Sequence, residues 1–185
     1  FIVYDTQKIP LVKYLLGKKN FKSVLIFCSS KLSVKQLTRD LKRAKFLADE
    51  IHSDLDQTKR EEVLIQFKSG RLPILVATDI LSRGIDIDNI DLVINYDVPH
   101  DGEDYVHRIG RTARAEADGT AYTFVSVKEQ RKFLAIEKLI GKPVPKAQVP
   151  QELGETPEFN TSHSRSHSGN RKFNKPRHFQ KRANK

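Results

Sequence analysis

The sequence predicts an α/β fold, a parallel β-sheet with helices on both faces, followed by a disordered basic tail. Three observations carry this. Short, wholly apolar runs such as Val24–Phe27 and Ile74–Ala77 suit strands buried on both faces of a sheet. Stretches with apolar residues at helical spacing lie between them, and that alternation argues parallel strands joined by helices. The charge is concentrated at one end. Of a net +10, eight cations fall between Phe159 and Lys185 with no acid among them, leaving about +2 for residues 1–158.

Residues 1–4 read as an opening strand, with a helix over 11–16. Val24–Phe27 (VLIF) is a buried strand, and Val34, Leu37 and Leu41 then mark a helix over 33–43. Residues 61–67 and 104–109 read as helices, and Ile74–Ala77 and residues 92–94 as further buried strands. Residues 120–126 (TAYTFVS) read as one β-rich strand, and 129–140 as a closing helix before Gly141 and Pro143. The folded domain is expected over 1–149. From 150 to 185 the chain is poor in aliphatics and rich in Ser, Asn, His and Arg, too polar to offset its own chain entropy.

A chain of 185 residues suits one domain. No apolar run approaches the ~18 residues of a membrane span, so no membrane partner is expected, and no signal-peptide pattern opens the chain. A single cysteine, Cys28, excludes a disulfide framework and a cysteine-based zinc site. A reduced, cytoplasmic compartment fits. The chain begins at Phe1 and contains no methionine, which reads as a piece of something longer.

In a parallel α/β sheet, ligands sit at the carboxyl ends of the strands. The segments that matter are therefore 28–31, 52–60, 78–86, 97–102 and 107–114. In the last, Arg108, Arg111 and Arg114 recur every three residues, a spacing that shares a helix face. Like charges side by side are unfavourable unless an anion sits between them, and a guanidinium fork matches phosphate oxygens. The plainer alternative is a solvated basic face. In 76–87, a Thr hydroxyl at the strand end can donate to a phosphate, and an acid after Gly84 can accept from ribose hydroxyls. The plainer alternatives are a helix cap at Asp79 and an ordinary turn at Gly84.

Taken in order, LIFCSS (25–30), HSDLDQTKR (52–60), VATDILSRGIDI (76–87), VINYDVP (93–99) and HRIGRTAR (107–114) resemble the second RecA-like domain of DEAD-box ATP-dependent RNA helicases, over about residues 1–146. The resemblance implies a RecA-like fold. It implies RNA contacts at Ser30, Arg60 and Thr78, and interdomain contacts at Arg83 and His107. It implies an ATP site touched by Gly84, Asp86, Arg111 and Arg114, with Asp86 accepting from the ribose and Arg114 as arginine finger. Arg111 and Arg114 are the catalytic pair it implies. Two positions depart from the family pattern. Ala113 stands where glycine is usual, and Ser53 where the family has the glycine of His-Gly-Asp.

No G-x-x-x-x-G-K-[ST] loop is present. The resemblance therefore implies that ATP and Mg2+ are held mainly by an N-terminal RecA-like domain of the same protein, and that this chain alone is catalytically inert. Asp49-Glu50-Ile51-His52 spells a magnesium-box pattern, but without a phosphate loop upstream it reads as a strand entering a turn. His52, His100 and His107 show no metal-ligand spacing and read as surface or interdomain residues. Cys28 reads as a structural thiol. In the tail, Phe173 and Phe179 lie among the cations, as in segments that hold phosphates and stack on bases; a solvated solubility arm is the alternative. The competing function is a non-enzymatic RNA-binding module, which needs Ser30, Arg60, Thr78 and the tail but not Asp86, Arg111 or Arg114.

Overall fold

The computed structural model describes residues 1–79, 87, 89–112 and 119–160. Its strands are β1 (Ile2–Val3), β2 (Val24–Phe27), β3 (Ala48–Ile51), β4 (Ile74–Ala77), β5 (Leu92–Asn95), β6 (Thr120–Thr123) and β7 (Val125–Ser126). Its helices are α1 (Lys8–Lys18), α2 (Lys31–Arg43), α3 (Gln57–Lys68), α4 (Gly102–Ile109) and α5 (Gln130–Ile140). Five strands form one wholly parallel sheet in the order β3-β4-β2-β5-β6, with Val24 opposite both Ile74 and Leu92. Strands β1 and β7 pair separately, also in parallel.

The strand residues alternate between two cores. Val24, Ile26, Val76 and Ile94 face Leu11 and Val12 of α1 and Val34, Leu37 and Leu41 of α2. Leu25, Phe27, Leu75 and Val93 face Val63 and Phe67 of α3. Both faces are covered, which is why these strands read as unbroken apolar runs rather than alternating ones. Cys28 lies in the first core, where burial pushes its thiol far above its usual range and keeps it protonated.

Helices α3 and α4 start earlier than the sequence reading, capped by Asp56 and Asp101, and three further boundaries differ for identifiable reasons. Helix α1 begins at Lys8, because Pro10 falls in the first turn, where the missing N–H is harmless. The predicted single strand over 120–126 is two strands. The Phe124 amide donates to Asn95 O at 2.9 Å, and the next amide, Val125, donates to Phe1 O at 2.9 Å, so the chain changes partner at Phe124.

The third difference lies at the far end, where the disordered tail expected from residue 150 does not begin there. Gln151–Leu153 form a 3-10 turn, and the chain stays on the body as far as Asn160. Two buried glutamines hold it. Gln7 Nε2 donates to Leu153 O (2.8 Å) and Glu155 O (2.9 Å), while Gln130 donates to Glu158 O (2.7 Å) and accepts from Asn160 N (2.9 Å). Phe159 then packs edge-on against Phe133. Residues 161–185 lie outside the described residues, and no described helix is long and apolar enough to cross a membrane.

Candidate nucleic-acid and nucleotide interface

The sheet changes direction of growth on either side of β2: β4 and β3 lie to one side, β5 and β6 to the other. Ligands of open parallel sheets bind at the carboxyl end of such a point. Here that edge collects the turn after β2 (Ser29, Ser30), the exits of β4 (Thr78, Asp79) and β5 (Tyr96, Asp97), and the turn after β3 (His52–Asp56). Backbone bonds fix their relative heights, from Cys28 N to Ala77 O at 2.9 Å and from Tyr96 N to Phe27 O at 2.9 Å.

Ser30 caps α2: its Oγ accepts from Ser33 N at 3.1 Å and lies 2.9 Å from Ser33 Oγ. If Ser33 is the donor between the two hydroxyls, the hydrogen of Ser30 is left for an outside acceptor, beside the positive end of a 13-residue helix. Thr78, half-buried at the exit of β4, donates its amide to Ile51 O at 3.2 Å, and its hydroxyl has no protein partner. Arg60, one turn into α3, reaches Gln57 Oε1 (3.3 Å) and Leu55 O (3.4 Å), and its Nε is unpartnered. Among the described residues only one further buried side-chain atom, Thr38 Oγ1, is left this way, so two of the three fall at positions expected to touch RNA. Buried polar groups are otherwise almost always satisfied, so each of these orphan donors calls for an explanation.

Arg108 corrects the sequence reading. It does not share an open face with Arg111, because its side chain is only 1% exposed. It points inward from α4, stacks over Phe27 at 5.0 Å, donates from Nε to Asp79 Oδ1 at 2.8 Å, and donates from Nη1 to Asn95 Oδ1 and Asp97 O, each at 3.3 Å. One guanidinium thus ties the exits of β2, β4 and β5 to α4. Helix α4 also ends at Ile109, so the spacing of three does not continue as a helix face. Arg111 follows that end with its backbone held on both sides: its N–H donates to Arg108 O (3.2 Å), its carbonyl accepts from Ile90 N (3.1 Å), and Thr112 Oγ1 donates to Ile90 O (2.7 Å). His107 is exposed on α4. Arg83, Gly84, Asp86, Ala113 and Arg114 lie outside the described residues.

His52 is another correction. It is buried, not a surface histidine; its Nδ1 accepts from Asp54 N at 3.2 Å and its Nε2 faces Glu50 Oε1 at 3.4 Å. Asp49 is engaged by Lys42 at 3.0 Å, as a strand residue entering a turn. Asp54 joins two strand exits: Lys31 donates to it at 2.7 Å and Lys35 at 2.8 Å, and these bonds draw its carboxyl down to about 2. Among the described residues no group of three or more His, Cys, Asp or Glu side chains offers a magnesium site.

The sequence reading missed a buried cluster centred on Lys8. Lys8 Nζ lies 2.9 Å from Asp97, 3.1 Å from Glu129 and 3.4 Å from Asp5. Burial opposes the charge of Lys8, but Asp97 and Glu129 outweigh it and raise its pKa; burial likewise opposes the charge of Asp97, but Lys8 and the Ser29 amide hold its carboxyl below the usual range. A signal was present: Lys8 lies three and four residues before Leu11 and Val12, on the inward face of α1.

The helicase conserved C-terminal domain model matches residues 7–116. The chain is 43% identical over 160 residues to the ATP-dependent RNA helicase DbpA of Bacillus subtilis, covering 85% of this chain and 33% of that protein. It is 52% identical over 124 residues to DEAD-box ATP-dependent RNA helicase 40 of Oryza sativa, covering 66% of this chain and 16% of that protein. The chain thus spans a third or less of these relatives. Among solved structures it resembles a DEAD box protein from Methanococcus jannaschii (TM-score 0.74, 38% identity, 80% of this chain and 40% of that one). It also resembles the E. coli DEAD-box protein SrmB, solved bound to regulator of ribonuclease activity A (TM-score 0.73, 32% identity, 85% of this chain and 94% of that one).

Proposed function

The chain belongs to the helicase conserved C-terminal domain family, in its DEAD-box group, and from that premise we propose that it is the second RecA-like half of an ATP-dependent RNA helicase. The observation that carries the RNA side is the pair of unpartnered donors, Thr78 Oγ1 and Arg60 Nε, which follow β4 and β3 as the capped helix end at Ser30 follows β2. These three residues contact the backbone of one RNA strand. Phosphate oxygens accept from hydroxyls, guanidinium groups and helix N-termini alike, so the grip needs no base sequence.

On the nucleotide side, Arg111 and Arg114 face the γ-phosphate, Asp86 accepts from the ribose, Gly84 belongs to the same ATP site, and Arg83 and His107 meet the partner domain. ATP and RNA together close the two domains, and bending the gripped strand unpairs a short duplex. Hydrolysis then permits release. Magnesium is assigned to the partner domain, which supplies the phosphate loop this sequence lacks. A cytoplasmic location is proposed for the whole protein, a compartment in which the Cys28 thiol stays reduced.

The isolated 185-residue chain should show no ATPase above background, with or without RNA. Turnover stimulated by RNA in that chain alone would sink the split-site reading. For the RNA side, removing residues 161–185 should flatten the salt dependence of oligouridine binding, since eight cations able to pair with phosphates are lost. In that shortened chain, Thr78→Val should weaken binding by roughly tenfold or more, the worth of one hydrogen bond to a charged acceptor, about 1.5 kcal/mol at least. It should not lower the melting temperature, because the hydroxyl has no protein partner to lose. Unchanged affinity would remove Thr78 from the RNA path.

A further inference from the structure

The Lys8 cluster makes none of the RNA or nucleotide contacts proposed above, yet it ends on the turn that carries Ser30. Asp97 Oδ2 accepts from Ser29 N at 2.8 Å and from Ser29 Oγ at 3.0 Å. Its other oxygen accepts from Lys8 Nζ at 2.9 Å. The two donors from Ser29 fix both the backbone and the side chain of one residue. Ser30, the next residue, has extended backbone (φ −142°, ψ 152°) and opens α2.

A turn between a strand and a helix has only a few torsions left to choose, and Asp97 sets them from across the sheet edge. Lys8 in turn cannot swing away. It is 3% exposed, and Glu129 holds its far side while that carboxylate accepts from Val98 N (3.0 Å) and Ser126 N (3.1 Å).

We infer that Asp97 is a positioning residue that sets the Ser29–Ser30 turn for contact with an RNA phosphate. The inference rests on the reading of Ser30 as an RNA contact. Asp97 touches no RNA itself. It supplies a fixed acceptor that keeps the Ser30 hydroxyl and the first amides of α2 aimed outward before RNA arrives, so that binding need not order them. A hydroxyl on an unheld turn makes the same bond only after losing its conformational freedom.

The test compares Asp97→Asn with Glu129→Gln in the chain lacking residues 161–185. Both substitutions weaken the same Lys8 cluster with little change of shape, but only the first touches the turn. Asp97→Asn should raise the dissociation constant for a labelled single-stranded oligouridine by about tenfold and should speed hydrogen exchange at the Ser29 amide. Ser29→Ala, which removes one of the two donors, should fall between Asp97→Asn and the unsubstituted chain. Glu129→Gln should lower the melting temperature comparably while changing oligouridine affinity less than about twofold.

Equal losses of affinity in Asp97→Asn and Glu129→Gln would reduce Asp97 to a structural residue. Unchanged affinity in Asp97→Asn, with exchange at Ser29 accelerated, would show that the turn need not be held and would also overturn the inference. If the unsubstituted shortened chain fails to bind oligouridine at all, the fault lies one level deeper, in the assignment of Ser30 to RNA, and the positioning role falls with it.

Discussion

Replacing Arg108 by methionine should lower the melting temperature by about 6–12 °C, equivalent to about 3 kcal/mol in a domain of this size. Methionine preserves much of the stem that lies over Phe27 but none of the donors. Asn95 Oδ1, in a fully buried residue, would lose its guanidinium donor, and Asp97 O would lose another. Asp79 is 40% exposed and can be partly rehydrated, which holds the loss to the lower end of the range for breaking a buried ion pair. Arg108→Lys should recover only part of it, because a single ammonium cannot reach the exits of β4 and β5 together. Thermal unfolding followed by circular dichroism decides the matter. A shift under about 2 °C for methionine would mean that the guanidinium is dispensable to the fold and free for another task.

The largest kinetic effect is expected at Arg114. In the complete two-domain protein, Arg114→Ala and Arg114→Lys should each reduce RNA-stimulated kcat by roughly 100-fold or more, with modest loss of ATP affinity and near-normal thermal stability. A finger that meets charge only as the phosphoryl group moves acts on turnover more than on binding. Lysine does not rescue it, since a point charge cannot reproduce a planar fork. If both variants keep near-normal kcat, Arg111 is the finger. If both unfold, the residue is structural, as Arg108 is.

The central sheet was legible because its chemistry is monotonous. Strands β2 and β4 are covered on both sides, so their sequences are uninterrupted apolar runs, and their limits coincide with the reading. The change of partner at Phe124 was not legible, because both halves of residues 120–126 have the same β-rich composition and the break lies in where two amides point. The site was read as a set of motifs, and the residues it named, Ser30, Thr78 and Arg60, follow the carboxyl ends of β2, β4 and β3. Arg108 was misplaced because periodicity reports spacing along a helix and cannot report where that helix ends or which way a guanidinium turns. The docking of residues 150–160 was hidden for a similar reason. It depends on hydrogen bonds from Gln7 and Gln130 to main-chain carbonyls, which leave no mark in the composition of the segment they hold.

Those same glutamines, with the pairing of β1 and β7, have a consequence for how the molecule is made. Ile2 finds its strand partner at Val125, and Gln7 finds its carbonyls at Leu153 and Glu155. A ribosome adding ~5–20 residues per second takes on the order of ten seconds between making the two ends of these contacts. Throughout that interval Leu11 and Val12 can already pack on β2 and α2, but β1 lacks its strand partner, Lys8 lacks Glu129, and Gln7 lacks the carbonyls that clasp it. Completion of the domain is therefore a late, all-at-once event, timed by the emergence of residues 150–160 from the exit tunnel. A nascent chain halted at residue 149 should remain open to proteases along α1, while one extended to residue 160 with its tunnel-spanning linker should close.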